Sequence, residues 1–260
     1  MTETIQYLHA AGRRLEYAWW GGPPAPGGTA LVFLHEGLGC VDMWRGVPEI
    51  LANMTGLPAL AYSRAGYGRS DGITLPRPVD YHTVEAHEVL PAVLDAAGID
   101  RAVLIGHSDG GTIALMAAGR DPRVRGVVTM AAHVFNEDVT IQGVLEARKA
   151  WDETDLRDRL RRYHGGNVDT AFFGWNDTWL TPEFRNWNVE DCLPAVTCPV
   201  LVVQGADDRY GTGAQVRAIA SQVSGPAREL ILAGCGHSPH LEAPDALFSA
   251  IAGFVAGLDP

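Results

Sequence analysis

The sequence predicts an α/β protein in which a mostly parallel sheet is covered by helices on both faces. Short apolar runs recur along the chain, such as residues 30–34 and 199–203, and such runs are typical of strands that are buried on both faces. Segments with helical periodicity lie between these runs, and strands that alternate with helices favour a parallel sheet. Residues 133–195 interrupt the alternation and indicate an inserted helical cap.

The elements can be assigned in chain order. Residues 4–20 are expected to form two short strands around Ala11 and Gly12, and the glycine- and proline-rich segment 21–28 is expected to be a loop. Further strands are expected at residues 30–34, 57–62, 102–105, 124–130, 199–203 and 229–232. Helical patterns are found at residues 81–97, 112–119 and 244–256.

The chain of 260 residues is long enough for one large domain with an insertion. We expect residues 1–132 and 196–260 to form the core domain, and residues 133–195 to form the cap. The cap segment is rich in charged residues and tryptophans. Most of these tryptophans are expected to form the interior of the cap, while one or two line a pocket; the candidates are Trp151, Trp175 and Trp179.

Composition narrows the classes of partner. A formal net charge of −11 repels phosphates on average, which disfavours nucleic acid and anionic membranes. No apolar run approaches the roughly 20 residues that cross a bilayer, and the N-terminus lacks a signal-peptide pattern, so we expect a cytoplasmic protein. The cysteines have neither CxxC nor zinc-site spacing, so we expect reduced thiols and no metal. The expected partner is a small-molecule substrate, and the sequence leaves open whether the chain is a monomer or a homo-oligomer.

One serine has the setting of a nucleophile. Residues 104–111, LIGHSDGG, place Ser108 between Gly106 and Gly110, after an apolar strand and before a helical pattern. In a nucleophile elbow the strand turns sharply into a helix, and the glycines leave room for the strained backbone of the serine. The helix N-terminus also brings a positive dipole end near the serine oxygen. Ser108 is therefore the candidate nucleophile.

A serine hydroxyl reacts only when a base takes its proton. His237 lies in a glycine-flanked loop after the last apolar strand, at the sheet edge expected for Ser108, and is the candidate base; His240 is the alternative. His107 is expected to point away from the site. The remaining histidines that we considered are expected to be solvated or to cap helices: His9, His82, His87 and His164.

The histidine requires an acid that fixes its tautomer. Asp207 and Asp208 both follow the strand at residues 199–203, and spacing alone does not separate them. An acyl-transfer mechanism also requires donors for an oxyanion. One is expected to be the backbone N–H of Asp109, and the other is expected to come from the loop at residues 35–39.

Five motifs together are similar to those of the α/β-hydrolase fold family, from about residue 5 to the C-terminus. They are HEGLG at 35–39, SRAGYGRS at 63–70, GHSDGG at 106–111, QGADDRYG at 204–211 and GCGHSPHLEAP at 234–244. The resemblance implies an eight-stranded, mostly parallel sheet with a cap after the sixth strand. It also implies Asp208 as the acid, with Asp207 as the fallback, and Gly37 as the second oxyanion donor.

The chain departs from the family pattern at two positions. Glu36 stands where family members usually have glycine, and Asp109 stands where an apolar residue is frequent. Carboxylates there would disfavour anionic substrates, and Glu36 is a candidate substrate-binding residue. The structural interpretation is that Glu36 pairs with a basic residue such as Arg64, while Asp109 caps the helix.

The leading hypothesis is a cofactor-independent serine hydrolase that cleaves a small, neutral ester, lactone or related acyl compound through an acyl-enzyme. A serine at position 108 argues against the haloalkane dehalogenases and epoxide hydrolases of the family, which use an aspartate nucleophile. Carbon–carbon bond and amide hydrolysis use the same triad and are alternatives. A ligand-binding receptor on a hydrolase scaffold is a further alternative.

Overall fold

A computed structural model describes residues 6–258, which contain eight strands in one sheet. The strands are β1 (Gln6–Ala10), β2 (Arg13–Trp20), β3 (Thr29–Leu34), β4 (Ala59–Tyr62), β5 (Arg101–His107), β6 (Val124–Met130), β7 (Val200–Gly205) and β8 (Ala227–Leu232). Their order across the sheet is β1-β2-β4-β3-β5-β6-β7-β8. Only the pairings of β2 with β1 and β4 are antiparallel, so the sheet is mostly parallel, as predicted.

Helices cover both faces of the sheet. They are α1 (Val47–Thr55), α2 (Tyr81–Val84), α3 (Leu90–Ala97), α4 (Asp109–Ala118), α5 (Asp138–Glu153), α6 (Leu156–His164), α7 (Val168–Trp179), α8 (Pro182–Arg185), α9 (Gly213–Gln222), α10 (Pro239–Glu242) and α11 (Pro244–Ala256). A π-helical turn, Glu85–Val89, joins α2 to α3. Short 3-10 turns lie at Val41–Trp44, Gly165–Asn167 and Glu190–Ala195.

The predicted elements are all present, with shifts at their ends. Residues 4 and 5 of the first predicted strand lie outside the described residues, as do the outer ends of the predicted core domain, residues 1–5 and 259–260. The helix predicted from residue 112 begins at Asp109, directly after the serine. Helices α1, α9 and α10 were not predicted. They have nine, ten and four residues, and each is shorter than the roughly 11 residues over which a helical period can be read from a sequence.

The central strands are apolar throughout because both faces of the sheet are covered. In β3, Val32 and Leu34 pack with residues of α3, α4 and α9 on one face. Leu31 and Phe33 alternate with them and pack with residues of α1 and α11 on the other face. All four side chains are buried. Side chains that alternate between two covered faces produce a continuous apolar run instead of an alternating one.

The segment between β6 and β7 forms the inserted helical cap. It contains helices α5 to α8, whose aromatic side chains pack together in a separate hydrophobic cluster. Phe172, Trp179 and Phe184 are almost fully buried in this cluster. The boundaries at residues 133 and 195 stay a prediction. Within residues 6–258, no helix is both long and apolar enough to span a membrane.

Candidate active site

Ser108 occupies a sharp turn between β5 and α4. Its backbone has φ 52° and ψ −116°, a left-handed region that residues with a Cβ adopt only under strain. A Cβ at Gly106 would collide with the backbone of Gly110, and one at Gly110 would collide with the carbonyl group of Leu34. The two glycines are therefore required by the close approach of backbone on either side of the turn. The sequence pattern and the structure agree on this elbow.

His237 and Asp208 meet in front of the sheet edge. Nδ1 of His237 lies 2.9 Å from Oδ2 and 3.0 Å from Oδ1 of Asp208. Because an ionised carboxylate only accepts hydrogen bonds, Nδ1 carries the proton and Nε2 is left with a lone pair. Asp207 is exposed instead, and its backbone N–H donates to the carbonyl of Cys235. Of the two predicted aspartates, Asp208 is thus the one that holds His237.

The Asp208 carboxylate is held in place by three donors. Besides His237, it accepts from Nε2 of Gln204 at 2.5 Å and from the backbone N–H of Tyr210 at 2.8 Å. Burial alone would raise the pKa of Asp208, but the hydrogen bond and charge of His237 outweigh burial and hold it below its usual value. Asp208 is therefore ionised at neutral pH and orients the imidazole.

The loop after β3 is anchored by hydrogen bonds on both sides of its histidine. His35 donates from Nδ1 to the carbonyl of Glu36 at 2.7 Å and accepts at Nε2 from the backbone N–H of Arg64 at 3.1 Å. The Arg64 guanidinium donates to the same carbonyl at 2.9 Å. A Cβ at Gly37 would overlap the indole ring of Trp175. The loop thus places the predicted donor Gly37 directly under a cap residue.

Asp109 does not cap the helix, which corrects the sequence interpretation. Its carboxylate accepts from the hydroxyl of Tyr81 at 2.9 Å and pairs with the Arg64 guanidinium at 3.3 Å. His82 Nε2 lies 3.4 Å from its other oxygen. All these side chains are buried. Burial alone would raise the pKa of Asp109, but its contacts with His82, Arg64 and Tyr81 hold that pKa well below its usual range. As the first residue of α4, Asp109 has no intrahelical acceptor for its N–H.

Glu36 pairs with a different residue from the one expected. Its carboxylate lies 3.5 Å from Nδ1 of His107, while Arg64 bonds only to its backbone carbonyl. The expectation that His107 points away from the site was wrong, because His107 borders the same cavity as Ser108. Sequence could not reveal this pair, because it depends on the directions of the two side chains.

A cavity of about 280 Å³ lies between the sheet edge and the cap. Of the predicted residues, Ser108, His237, Glu36, Gly37, Trp175 and Trp179 line it. Trp151 is not among the lining residues; its ring stacks on Phe172 at 4.0 Å inside the cap. Its expected place in the substrate pocket is therefore corrected to the cap interior. The other lining residues are Leu38, Met43, His107, His133, Thr140, Val144, Leu160, Tyr210 and Ser238.

Two of the cavity residues that the sequence analysis missed lie beside His237. The ring of Tyr210 lies 4.6 Å from that of His237, and the ring of His133 lies 6.0 Å from it. Burial, reinforced by His237, lowers the pKa of His133 to about 4, so its imidazole is neutral. A signal existed for both residues. Tyr210 follows Asp208 by two positions, and His133 follows β6 by three, at the edge where parallel strands end.

Three other histidines are buried. His82 and His164 are almost inaccessible, although they were expected to be solvated or to cap helices. His164 accepts from the backbone N–H of Gly68 at 3.0 Å and donates to the carbonyl of Leu38 at 2.9 Å, so it joins the cap to two core loops. His240, the alternative base, is buried with its ring beside that of Trp44. Burial lowers the pKa of His240 to about 3.

The described part of the chain offers no obvious metal site. Among residues 6–258, no group of three or more His, Cys, Asp or Glu side chains is placed to hold a metal ion. The four cysteines, Cys40, Cys192, Cys198 and Cys235, are free thiols.

Comparison with known proteins assigns the chain to a family. A model of the alpha/beta hydrolase family matches residues 31–250. The chain is 25% identical to a protein described as "Putative carbamate hydrolase RutD" from Caulobacter sp. (strain K31), over 91% of this chain and 94% of that protein. It is 30% identical to the pimeloyl-[acyl-carrier protein] methyl ester esterase of Stenotrophomonas maltophilia (strain R551-3), over 66% of this chain and 76% of that protein.

A solved structure shares the same fold. The enol-lactonase from Burkholderia xenovorans LB400 superposes with a TM-score of 0.71 at 21% identity, over 96% of this chain and all of that one. At 21% identity, this similarity shows only that the two chains share a fold. Together with the family match, these findings show that the chain belongs to the alpha/beta hydrolase family. It is a hydrolase of that family.

Proposed function

We propose that this protein is a cofactor-independent serine hydrolase that cleaves a small, uncharged ester, lactone or related acyl compound. The observation that carries the proposal is the pairing of His237 with Asp208 beside a cavity that also contains the strained Ser108. A serine held at positive φ, an oriented histidine and a shared cavity are the parts that acyl transfer requires.

In the proposed reaction, the Ser108 hydroxyl oxygen attacks the substrate carbonyl while Nε2 of His237 accepts the hydroxyl proton. The resulting imidazolium is stabilised by the ionised Asp208. His237 then gives the proton to the leaving group as the acyl–oxygen bond breaks, which leaves an acyl-enzyme. A water molecule, deprotonated by His237, attacks the acyl-enzyme, and the proton returns to Ser108 as the acid product leaves.

The negative charge on the substrate oxygen requires two donors. We assign the backbone N–H of Asp109, which has no intrahelical acceptor, and the backbone N–H of Gly37 in the anchored loop after β3. Loss of one such donor typically costs about 10²–10³ in kcat. The buried contacts of Arg64 with the Asp109 carboxylate and with the Glu36 carbonyl support both donors at once.

The cavity walls favour an uncharged substrate. Among the described residues that line the cavity, Glu36 is acidic and none is lysine or arginine. A substrate carboxylate would therefore lose its hydration without gaining a lysine or arginine partner. The volume of about 280 Å³ is at the lower end of ligand pockets, which suits a small acyl compound. The two relatives named above are described as a "Putative carbamate hydrolase" and as a pimeloyl-[acyl-carrier protein] methyl ester esterase, and a methyl ester is an uncharged acyl group.

The proposal is tested by hydrolysis of p-nitrophenyl esters from acetate to octanoate. We expect activity that peaks at short acyl chains and disappears in the Ser108→Ala variant. A matched pair tests the charge preference, because p-nitrophenyl butyrate should be turned over much faster than the similarly sized mono-p-nitrophenyl ester of succinic acid. Persistent turnover in Ser108→Ala would reject the nucleophile. Fluorophosphonate labelling of Ser108 without turnover of any ester would favour carbon–carbon or amide hydrolysis instead.

A further inference from the structure

A carboxylate and an imidazole meet between three loops at the border of the cavity. Oε2 of Glu36, in the loop after β3, lies 3.5 Å from Nδ1 of His107, which directly precedes Ser108. The His107 side chain is 2% exposed and that of Glu36 is 24% exposed. The proposed reaction gives neither side chain a role.

The other nitrogen of His107 defines its protonation state. Nε2 lies 2.7 Å from the backbone carbonyl oxygen of His237, and a carbonyl oxygen only accepts, so Nε2 donates. In a neutral His107, Nδ1 would then carry a lone pair 3.5 Å from the Glu36 carboxylate, with which it makes no hydrogen bond. In the imidazolium form, the positive ring and the carboxylate attract each other as an ion pair at this distance. The geometry therefore favours a charged His107.

Charges around the pair agree with this assignment. Burial lowers the pKa of His107, but the contact with Glu36 outweighs burial, and the pKa is raised overall. The His107 ring also faces His240, at 5.0 Å between ring centroids, and His237, at 5.2 Å. His240 is neutral at ordinary pH because burial lowers its pKa to about 3, and the ionised Asp208 on the far side of His237 adds a favourable attraction.

A second side chain also fixes the backbone around His237. The Glu242 carboxylate, on α10, accepts from the N–H of Gly236 at 2.8 Å and from the N–H of Ser238 at 2.9 Å. His107 donates to the carbonyl of His237, the residue between them. Two side chains thus hold the segment that carries the His237 imidazole.

We propose that Glu36 and His107 form a positioning pair, in which Glu36 keeps His107 charged and His107 holds the backbone of His237 next to Ser108. The pair links the loop that supplies Gly37, the turn that supplies Ser108 and the loop that supplies His237. The effect of the pair on turnover rests on the proposed serine mechanism. The protonation state of His107 does not depend on that mechanism, so the pair and the proposed function can be refuted separately.

The protonation state is measured by ¹⁵N NMR of histidine-labelled protein, with the His107 signals assigned by their loss in His107→Gln. We expect both nitrogens of His107 to be protonated at pH 7 in the wild type. In Glu36→Gln, the amide can donate to Nδ1, so His107 should become neutral with its proton on Nε2. Glu153→Gln, an exposed carboxylate that pairs with Lys149, is the matched control and should change nothing. A neutral His107 in the wild type would overturn the proposal.

The positioning role is measured by ester kinetics. His107→Gln retains an amide N–H for the His237 carbonyl, whereas His107→Leu has no donor. Small misplacements of catalytic groups reduce turnover strongly. We therefore expect kcat to fall about 10²-fold in His107→Leu and only about tenfold in His107→Gln, with KM nearly unchanged in both. Equal kcat in the wild type and His107→Leu would overturn the proposal. If His107→Leu does not fold, the test is made with Glu36→Gln. The proposal then predicts a lower kcat with unchanged KM in Glu36→Gln, and an unchanged kcat in this variant overturns the proposal.

Discussion

At the two glycines of the elbow, Gly106 and Gly110, an added methyl group would meet fixed backbone. In Gly110→Ala, the new Cβ would overlap the Leu34 carbonyl, which belongs to a central strand and cannot move aside. We expect the free energy of unfolding to fall by about 3 kcal/mol and ester turnover to collapse. Urea denaturation measures the first effect.

The matched control is Gly253→Ala. Gly253 lies in helix α11 and is exposed, and a methyl group added there would meet no atom within 4 Å outside its own helix. Alanine at this position should leave turnover unchanged and raise stability by up to about 1 kcal/mol, because glycine is a poor helix former. A Gly110→Ala protein as stable as the wild type would contradict the described elbow.

The two neighbouring aspartates give a second comparison at the same scale. Asp208→Asn removes the carboxylate that holds the His237 tautomer, so we expect kcat to fall by about 10³–10⁴. Asp207 is exposed, and Asp207→Asn should keep nearly full activity. Steady-state kinetics with one p-nitrophenyl ester separates the outcomes. The opposite ranking of the two variants would mean that the acid has been assigned to the wrong residue.

Between elements, the buried Arg64–Asp109 pair connects the segment after β4 to the start of α4. Arg64→Met should lower the free energy of unfolding by about 3–5 kcal/mol, because it leaves Asp109 buried with an uncompensated charge. Adding Asp109→Leu should recover part of this loss, so that the double variant is more stable than the sum of the single effects predicts. Urea denaturation of all four proteins measures the coupling. Simple additivity would show that the pair does not act as a unit.

The cap helices present two tryptophans with different roles. Trp175 on α7 borders the cavity above Gly37, whereas Trp151 on α5 stacks inside the cap. Trp175→Leu should enlarge the cavity and shift the preferred p-nitrophenyl ester to longer acyl chains. Trp151→Leu should lower stability by about 2 kcal/mol without shifting that preference. The same chain-length shift in both variants would contradict the cavity assignment.

The difference between these tryptophans also shows what sequence can predict at this scale. Trp175 and Trp179 are four residues apart and share one face of a helix, and both border the cavity. Which face of α5 turns toward the cavity depends on how the cap helices pack against each other, so the position of Trp151 could not be derived. The same limit applies to Glu36, because its choice of His107 over Arg64 depends on side-chain directions across two loops.

For the whole molecule, the strand–helix alternation was enough to predict the sheet, the inserted cap and the edge at which the site lies. Parallel strands place their ends together, so Ser108, Asp208 and His237 could be expected at one edge before any distance was known. The buried polar groups beneath that edge were not predictable in this way. Arg64, Tyr81 and His82 come from distant segments and meet Asp109 only through the complete fold.

Buried neutral histidines predict the pH dependence of global stability. Burial lowers the pKa of His133 to about 4 and that of His240 to about 3. Between pH 6 and pH 5 the unfolded chain binds protons at these residues while the folded chain does not. Stability should therefore fall as the pH decreases, by up to about 1.4 kcal/mol per pH unit for each histidine. His107, with its raised pKa, is protonated in both states in this range and contributes little.

This dependence is checked by urea denaturation at pH 5 and pH 6. The wild type should lose stability over this interval, and His240→Gln should lose less, because one of the groups that take up protons on unfolding is gone. His9→Gln is the matched control, since His9 is exposed on β1, and it should reproduce the wild-type dependence. Identical dependences in the wild type and His240→Gln would contradict the description of His240 as a buried neutral group.

The central claim is that Ser108 is a nucleophile activated by His237 and Asp208, and active-site labelling tests it most directly. The protein is incubated with a fluorophosphonate, and the adduct is counted by intact mass and located by peptide mapping. The account predicts one adduct per chain on Ser108, none in Ser108→Ala, and much slower labelling in Asp208→Asn. A folded wild-type protein that is not labelled, or that is labelled equally well in Ser108→Ala, would contradict it.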